Sequence, residues 1–141
     1  MLTEKDYCDY ETCVALKELG YKTPTSAFYM PNNETLCFVL NPFREGYVID
    51  CFFSHNSFCE DVMTHDYLID APTMWEAQKW LREEKKIEVN ATSDFISEYH
   101  WFWQIKSLIN ANNDVSYPYY RSYEEALLEG IKEAVKILKE E

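Results

Sequence analysis

Pro72-Thr73-Met74-Trp75-Glu76-Ala77-Gln78-Lys79-Trp80-Leu81-Arg82-Glu83 sits in the middle of the chain and separates one run of strand-like sequence from the next. Thr73 and Glu76 have capping-box spacing: the Thr73 hydroxyl can accept the Glu76 N–H while the Glu76 carboxylate reaches back. Ala77, Trp80 and Leu81 then make an inward stripe, which predicts a helix ending near Lys86. Upstream, Asp9 is a good N-cap for a helix to Leu19, with Cys13, Leu16 and Leu19 on one face. Gly20 can take positive φ at C′ and Tyr21 can close a Schellman ending against Leu16. Downstream, Ser122-Tyr123-Glu124-Glu125 repeats the capping box, and Leu127, Ile131, Ala134 and Leu138 form the stripe of a last helix. Gly130 inside that helix costs about 1 kcal/mol relative to Ala, which points to close packing there.

Between these helices lie the strands. Ser26–Met30, Thr35–Leu40 and Tyr47–Phe53 read as three, the last two as a hairpin. Residues 54–66 and 111–120 read as loops. Ile87–Ala91 is a fourth strand, and Phe95–Ile109 contains a fifth in which Tyr99, Trp101, Trp103 and Ile105 alternate on one face. The order is α-β-β-β-α-β-β-α. Strands in runs between helices predict an α+β fold: a single domain over residues 1–141, with a mainly antiparallel sheet of about 4–5 strands and three helices packed on one face.

The composition suits a folded domain. Of 141 residues, 47% are hydrophobic and 16% aromatic, with three glycines and five prolines, so there is enough apolar surface for a core. The net charge is −12. Twelve acids and four bases in residues 1–70 give −8; thirteen and nine in residues 71–141 give −4. This charge repels phosphates, so neither nucleic acid nor an anionic membrane is expected as a partner. The opening Met1-Leu2-Thr3-Glu4-Lys5-Asp6 lacks the pattern of an export signal. No apolar run approaches the roughly 18 residues of a membrane span. A cytoplasmic location is therefore expected, with the five cysteines as free thiols.

Several groupings could carry chemistry. Cys51, His55, Cys59 and His65 are ligand types that zinc accepts, but the tight Cys-x-x-Cys pairs of structural sites are missing; core cysteines and loop histidines are the plainer reading. Cys51 or Cys59 could act as a nucleophile with His65 or His100 and an orienting Asp61 or Asp70, although a cysteine is more often a small buried hydrophobe. Glu60, Asp61, Asp66 and Asp70 form an acidic cluster without EF-hand spacing, and solvation alone explains it. Lys79, Arg82 and Lys86 make a basic stripe on the middle helix that could meet an anionic group, or simply face solvent. The strand around Tyr99-His100-Trp101-Phe102-Trp103 is the most unusual stretch. If one face of its sheet is open, it displays His100, Phe102 and Gln104; the alternative is a strand covered on both sides. The sequence contains no Gly-rich phosphate loop, nucleophile elbow or His-Glu-x-x-His, and no cofactor is expected.

Three ordered blocks, Leu16-Lys17-Glu18-Leu19-Gly20-Tyr21, then Asp70-Ala71-Pro72-Thr73 with Glu76-Ala77-Gln78-Lys79-Trp80-Leu81-Arg82-Glu83, and Ser122-Tyr123-Glu124-Glu125-Ala126-Leu127-Leu128-Glu129-Gly130-Ile131, resemble an uncharacterised family of small proteins from gut anaerobic bacteria and their prophages or mobile elements. The resemblance implies context and no activity. The leading expectation is a noncatalytic binding or accessory protein that engages a protein with a basic surface, or a second copy of itself. The alternatives are a small enzyme with a site near Cys51–His65 and an acidic DNA-mimic inhibitor.

Overall fold

The computed structural model describes residues 3–23, 25–30, 34–39, 49–51, 68–94, 100–109, 113–115 and 120–140. Within them the helix signals of the sequence meet the bonds they call for. The Asp9 carboxylate accepts the Thr12 N–H at 2.9 Å and starts α1, Tyr10–Glu18. α1 closes as a Schellman motif: Gly20 has φ 101°, its N–H donates to Lys17 O, and the Tyr21 N–H donates to Leu16 O at 2.9 Å. Both bonds of the Thr73–Glu76 capping box form at the start of α2, Met74–Glu84. At the start of α3, Tyr123–Lys139, Ser122 Oγ accepts the Glu125 N–H at 3.1 Å, the forward half of its capping box.

The fold is α+β, and its strands fall into two antiparallel sheets where one was expected. β1 (Ala27–Met30), β2 (Thr35–Val39), β3 (Ile49–Cys51) and β4 (Ile69–Asp70) run in the order β3-β2-β1-β4. β5 (Ile87–Ser93), β6 (Trp101–Ser107) and β7 (Asn113–Val115) run in the order β5-β6-β7. The expected hairpin of the second and third strands is present, with Cys37 opposite Cys51. Two strands were not foreseen. β4 has two residues, too few to show alternation, yet it pairs with the free side of β1, Phe28 opposite Asp70. β7 is Asn113-Asp114-Val115, and Asn and Asp argue against a strand by propensity. It forms because the outward backbone groups of Ile105 need partners and Asp114 lies opposite them.

The chain clusters into two compact units, Met1–Pro72 and Thr73–Glu141. In the first, Tyr7, Cys8, Cys13, Leu16, Tyr21, Phe28, Tyr29 and Leu36 are buried. The Tyr29 hydroxyl donates to Cys8 O at 2.9 Å, and its ring meets Tyr10 edge-on at 5.6 Å. Cys8 and Cys13 are free thiols, as expected, but Cys37 is disulfide-bonded, which corrects the expectation of free thiols throughout. Burial pushes the Cys13 thiol well above the ordinary thiol range, helped by Cys8, Asp9 and Asp70. Burial also pushes the Tyr29 phenol up, with Cys13 the next contributor.

In the second unit, α3 lies across β5 and β6, and α2 packs on β5 and α3. Leu127, Ile131 and Ala134 of the expected stripe are fully buried, Leu138 is half-buried, and Gly130 is buried among them. A Cβ on Gly130 would stand 2.8 Å from Trp103 Cβ and 2.8 Å from Val89 Cγ1, so the close packing expected there is real. The Gln78 side chain donates to Val89 O at 2.7 Å, which satisfies a backbone acceptor on the outer side of β5. Among the described residues, no helix is long and apolar enough to cross a membrane.

Three outcomes follow from this packing. Gly130→Ala gains helix propensity of about 1 kcal/mol but overpacks a fixed Cβ and a core methyl, so urea denaturation should show a net loss of about 1–2 kcal/mol. An intrachain bond at Cys37 uses two of the five cysteines, so thiol titration in denaturant should find three groups without reductant (5 − 2) and five with it. Cys13 and Tyr29 hold their protons more tightly when folded than their ordinary values of 9.0 and 10.0. The unfolded chain therefore binds fewer protons above those values, and stability present below about pH 9 should fall as pH rises, by up to about 1.4 kcal/mol per pH unit per group. Urea midpoints across this range should show that decline, and Cys13→Ala should make it shallower.

Candidate functional site

The three-stranded sheet of the second unit has two chemically different faces. Asp94 N–H donates to His100 O and Leu108 N–H donates to Lys86 O, so the even-numbered residues of β5 and β6 form the hydrogen-bonded pairs. Side chains alternate with the same period. Ile87, Val89 and Ile105, all odd, are buried on the side where Gly130 of α3 meets Val89 and Trp103. Trp101 is on that side as well, half-buried, with its ring edge-on to Tyr123 at 5.7 Å.

Among the described residues, the even-numbered face is the more exposed one, the open face. Asn90 lies opposite Gln104, Glu88 opposite Lys106 and Thr92 opposite Phe102. On the far side of β6, Val115 lies opposite Gln104 and Asn113 opposite Lys106. Thr92, Gln104, Lys106, Asn113 and Val115 are exposed; Glu88, Asn90 and Phe102 are half-buried. A concavity of about 350 Å³ lies here, lined by Asn90, Gln104, Ile105, Lys106, Asn113, Asp114 and Val115. Leu108 continues the ladder in phase with Lys106 and is 47% exposed, so an apolar group stands at one end of the face. Exposed Gln104 and Lys106 on one side and buried Ile105 on the other show that this strand has an inward and an outward face.

Of the residues singled out from sequence, Phe102 and Gln104 are on this open face. His100 precedes β6 in the same phase, half-buried, with its ring 5.5 Å from that of Trp101. Tyr99 lies outside the described residues. The basic stripe is not continuous. Lys79 is exposed and Arg82 half-buried on α2, but Lys86 lies beyond the helix end at φ 56°. Its ammonium donates to Glu83 O at 2.6 Å, so it closes the helix C-terminus rather than extending a helix face. Lys85 places its ammonium 5.5 Å from the Trp80 ring centroid.

The cysteine and histidine candidates fall differently. His55, Cys59 and His65, with Glu60, Asp61 and Asp66, lie outside the described residues. Cys51 is placed in β3 by its backbone, and Asp70 in β4. Among the described residues, no group of three His, Cys, Asp or Glu side chains is arranged to hold a metal ion. The two strongly raised groups, Cys13 and Tyr29, belong to the core of the first unit, and Cys13 is 1% exposed. A thiol held protonated and shut away from solvent is a poor nucleophile.

Sequence reasoning missed Asn90, Lys106, Asn113 and Val115. Lys106 and Asn90 were within reach, since continuing the period of two from Gln104, and from Ile87 through Val89, puts both on the open face. Asn113 and Val115 had no such signal, because their strand looks like a turn. No protein-family model, no curated protein and no solved structure matches this chain.

Proposed function

We propose that this chain is a noncatalytic binding protein that presents the open face of the β5-β6-β7 sheet to a partner. The observation that carries this is a sheet packed against α3 on one side and, among the described residues, exposed on the other. The open side holds exposed polar side chains, the exposed apolar Val115 and Leu108, and a concavity. A mixture of polar and apolar groups on a fixed backbone suits recognition, since little conformational freedom is lost on binding.

The partner in this proposal is a protein, either one with a basic surface or a second copy of the chain. The net charge of −12 serves as a long-range field that attracts a basic partner, while the open face supplies the contacts. An origin in a phage or mobile element, suggested by the three helix-bounded blocks, is part of the same proposal. A working location in the cytoplasm is part of the same proposal, and there reducing surroundings would open the Cys37 disulfide.

The test is a comparison of wild type with Gln104→Arg and Val115→Asp, two exposed positions that substitution should leave folded. Wild type should either retain a partner from host lysate in a salt-sensitive manner or self-associate in analytical ultracentrifugation, and both variants should lose that behaviour. A strictly monomeric wild type whose captured proteins are identical to those of the variants would overturn the proposal.

A further inference from the structure

We infer that the concavity on the open sheet face binds a neutral, hydroxyl-rich small molecule, a carbohydrate, through the carboxamides of Asn90, Gln104 and Asn113. This deepens the assignment of that face as a binding surface and rests on it.

Three observations lead there. The first is the kind of polar group present. Three of the five side chains that line the concavity from the open face are neutral amides, in a chain where 27% of residues are charged. A carboxamide donates and accepts at once, as a hydroxyl does, so each can pair with a sugar hydroxyl in both senses. The second is spacing. Asn90 and Gln104 are directly opposed on adjacent strands, which puts their Cβ atoms about 5 Å apart; Asn113 is diagonal to Gln104, at about 7–8 Å. The sheet therefore holds a short, fixed row of amides that can meet several hydroxyls of one molecule.

The third observation is charge. On the open face the lining contributes one base, Lys106, and the carboxylate opposite it is Glu88; Asp114 is opposite Ile105, so its side chain belongs to the other face. A phosphate would find a single cation within a field of −12, and a divalent cation would find a single carboxylate. A neutral ligand meets neither obstacle. The volume of about 350 Å³ is near the lower end of the roughly 300–1,000 Å³ usual for small-molecule sites, which fits one or two sugar rings.

The experiment is NMR on the full-length ¹⁵N-labelled protein titrated with cellobiose, maltose, chitobiose and lactose, with tetraglycine and inorganic phosphate as comparison ligands. At least one disaccharide should shift the side-chain amide signals of Asn90, Gln104 and Asn113 and show saturation transfer, with millimolar affinity. Gln104→Met and Asn90→Leu should each weaken that binding about tenfold, the loss of one hydrogen bond with its partner left unmet. Unchanged backbone spectra will show that the variants fold. If tetraglycine or phosphate shifts these amides and no sugar does, the carbohydrate assignment is wrong. It is equally wrong if no ligand shifts them. Should the sugars fail while partner capture or self-association still depends on Gln104, the face binds protein and only the present inference falls. Should neither depend on Gln104, both assignments fall.

Discussion

The second unit depends on the missing side chain at Gly130. With no Cβ there, the backbone of α3 comes down onto Val89 and Trp103 at a distance that a methyl group would occupy. That contact decides which face of the sheet is core. Because side chains alternate strictly along β5 and β6, turning Val89 inward turns Asn90 outward, and burying Ile105 exposes Gln104 and Lys106. The open face is thus the necessary counterpart of a close helix–sheet contact. A large residue at position 130 would lift the helix and blur the difference between the two faces.

The helices were legible because their signals are local. Asp9, Gly20, Thr73, Glu76 and Ser122 each act on backbone groups within a few residues, so spacing alone predicts the bond, and the bonds are there. The period of two in Trp101, Trp103 and Ile105 identified the inward side of β6 for the same reason. Pairing was less legible because it is decided by distant partners. Ile69-Asp70 becomes a strand only because β1 has a free side, and Asn113-Asp114-Val115 only because β6 does. Neither fact is written in the few residues concerned. The division into two sheets follows, since β4 returns to the first sheet just before Pro72 and Thr73 begin a helix. The candidate site was half legible for the same reason: Gln104 and Phe102 lie on a strand with a strong period, and the β7 residues beside them do not.

The charged residues read differently in three dimensions than in sequence. Lys79, Arg82 and Lys86 are spaced like a stripe, but Lys86 has left the helix and its ammonium caps it. Lys17 likewise spends its ammonium on a carbonyl, that of Leu68, at 3.1 Å. These cations act locally on backbone oxygens. The acidity of the chain leans toward residues 1–70, whereas the open-face lining of the concavity is mostly neutral amide, so net charge and local charge differ from place to place in this chain.

The bond from Gln78 to Val89 O has a further consequence. A sheet has two edges, and each exposed edge is a template on which another strand can form. Here α2 packs against β5 and its Gln78 takes up one of the outward carbonyls of that strand. A carbonyl already bonded to Gln78 is not available to an incoming strand, so α2 works against strand addition along β5. A single glutamine side chain thus acts as a guard on the edge, removing one bonding group from a template on which chains could otherwise aggregate.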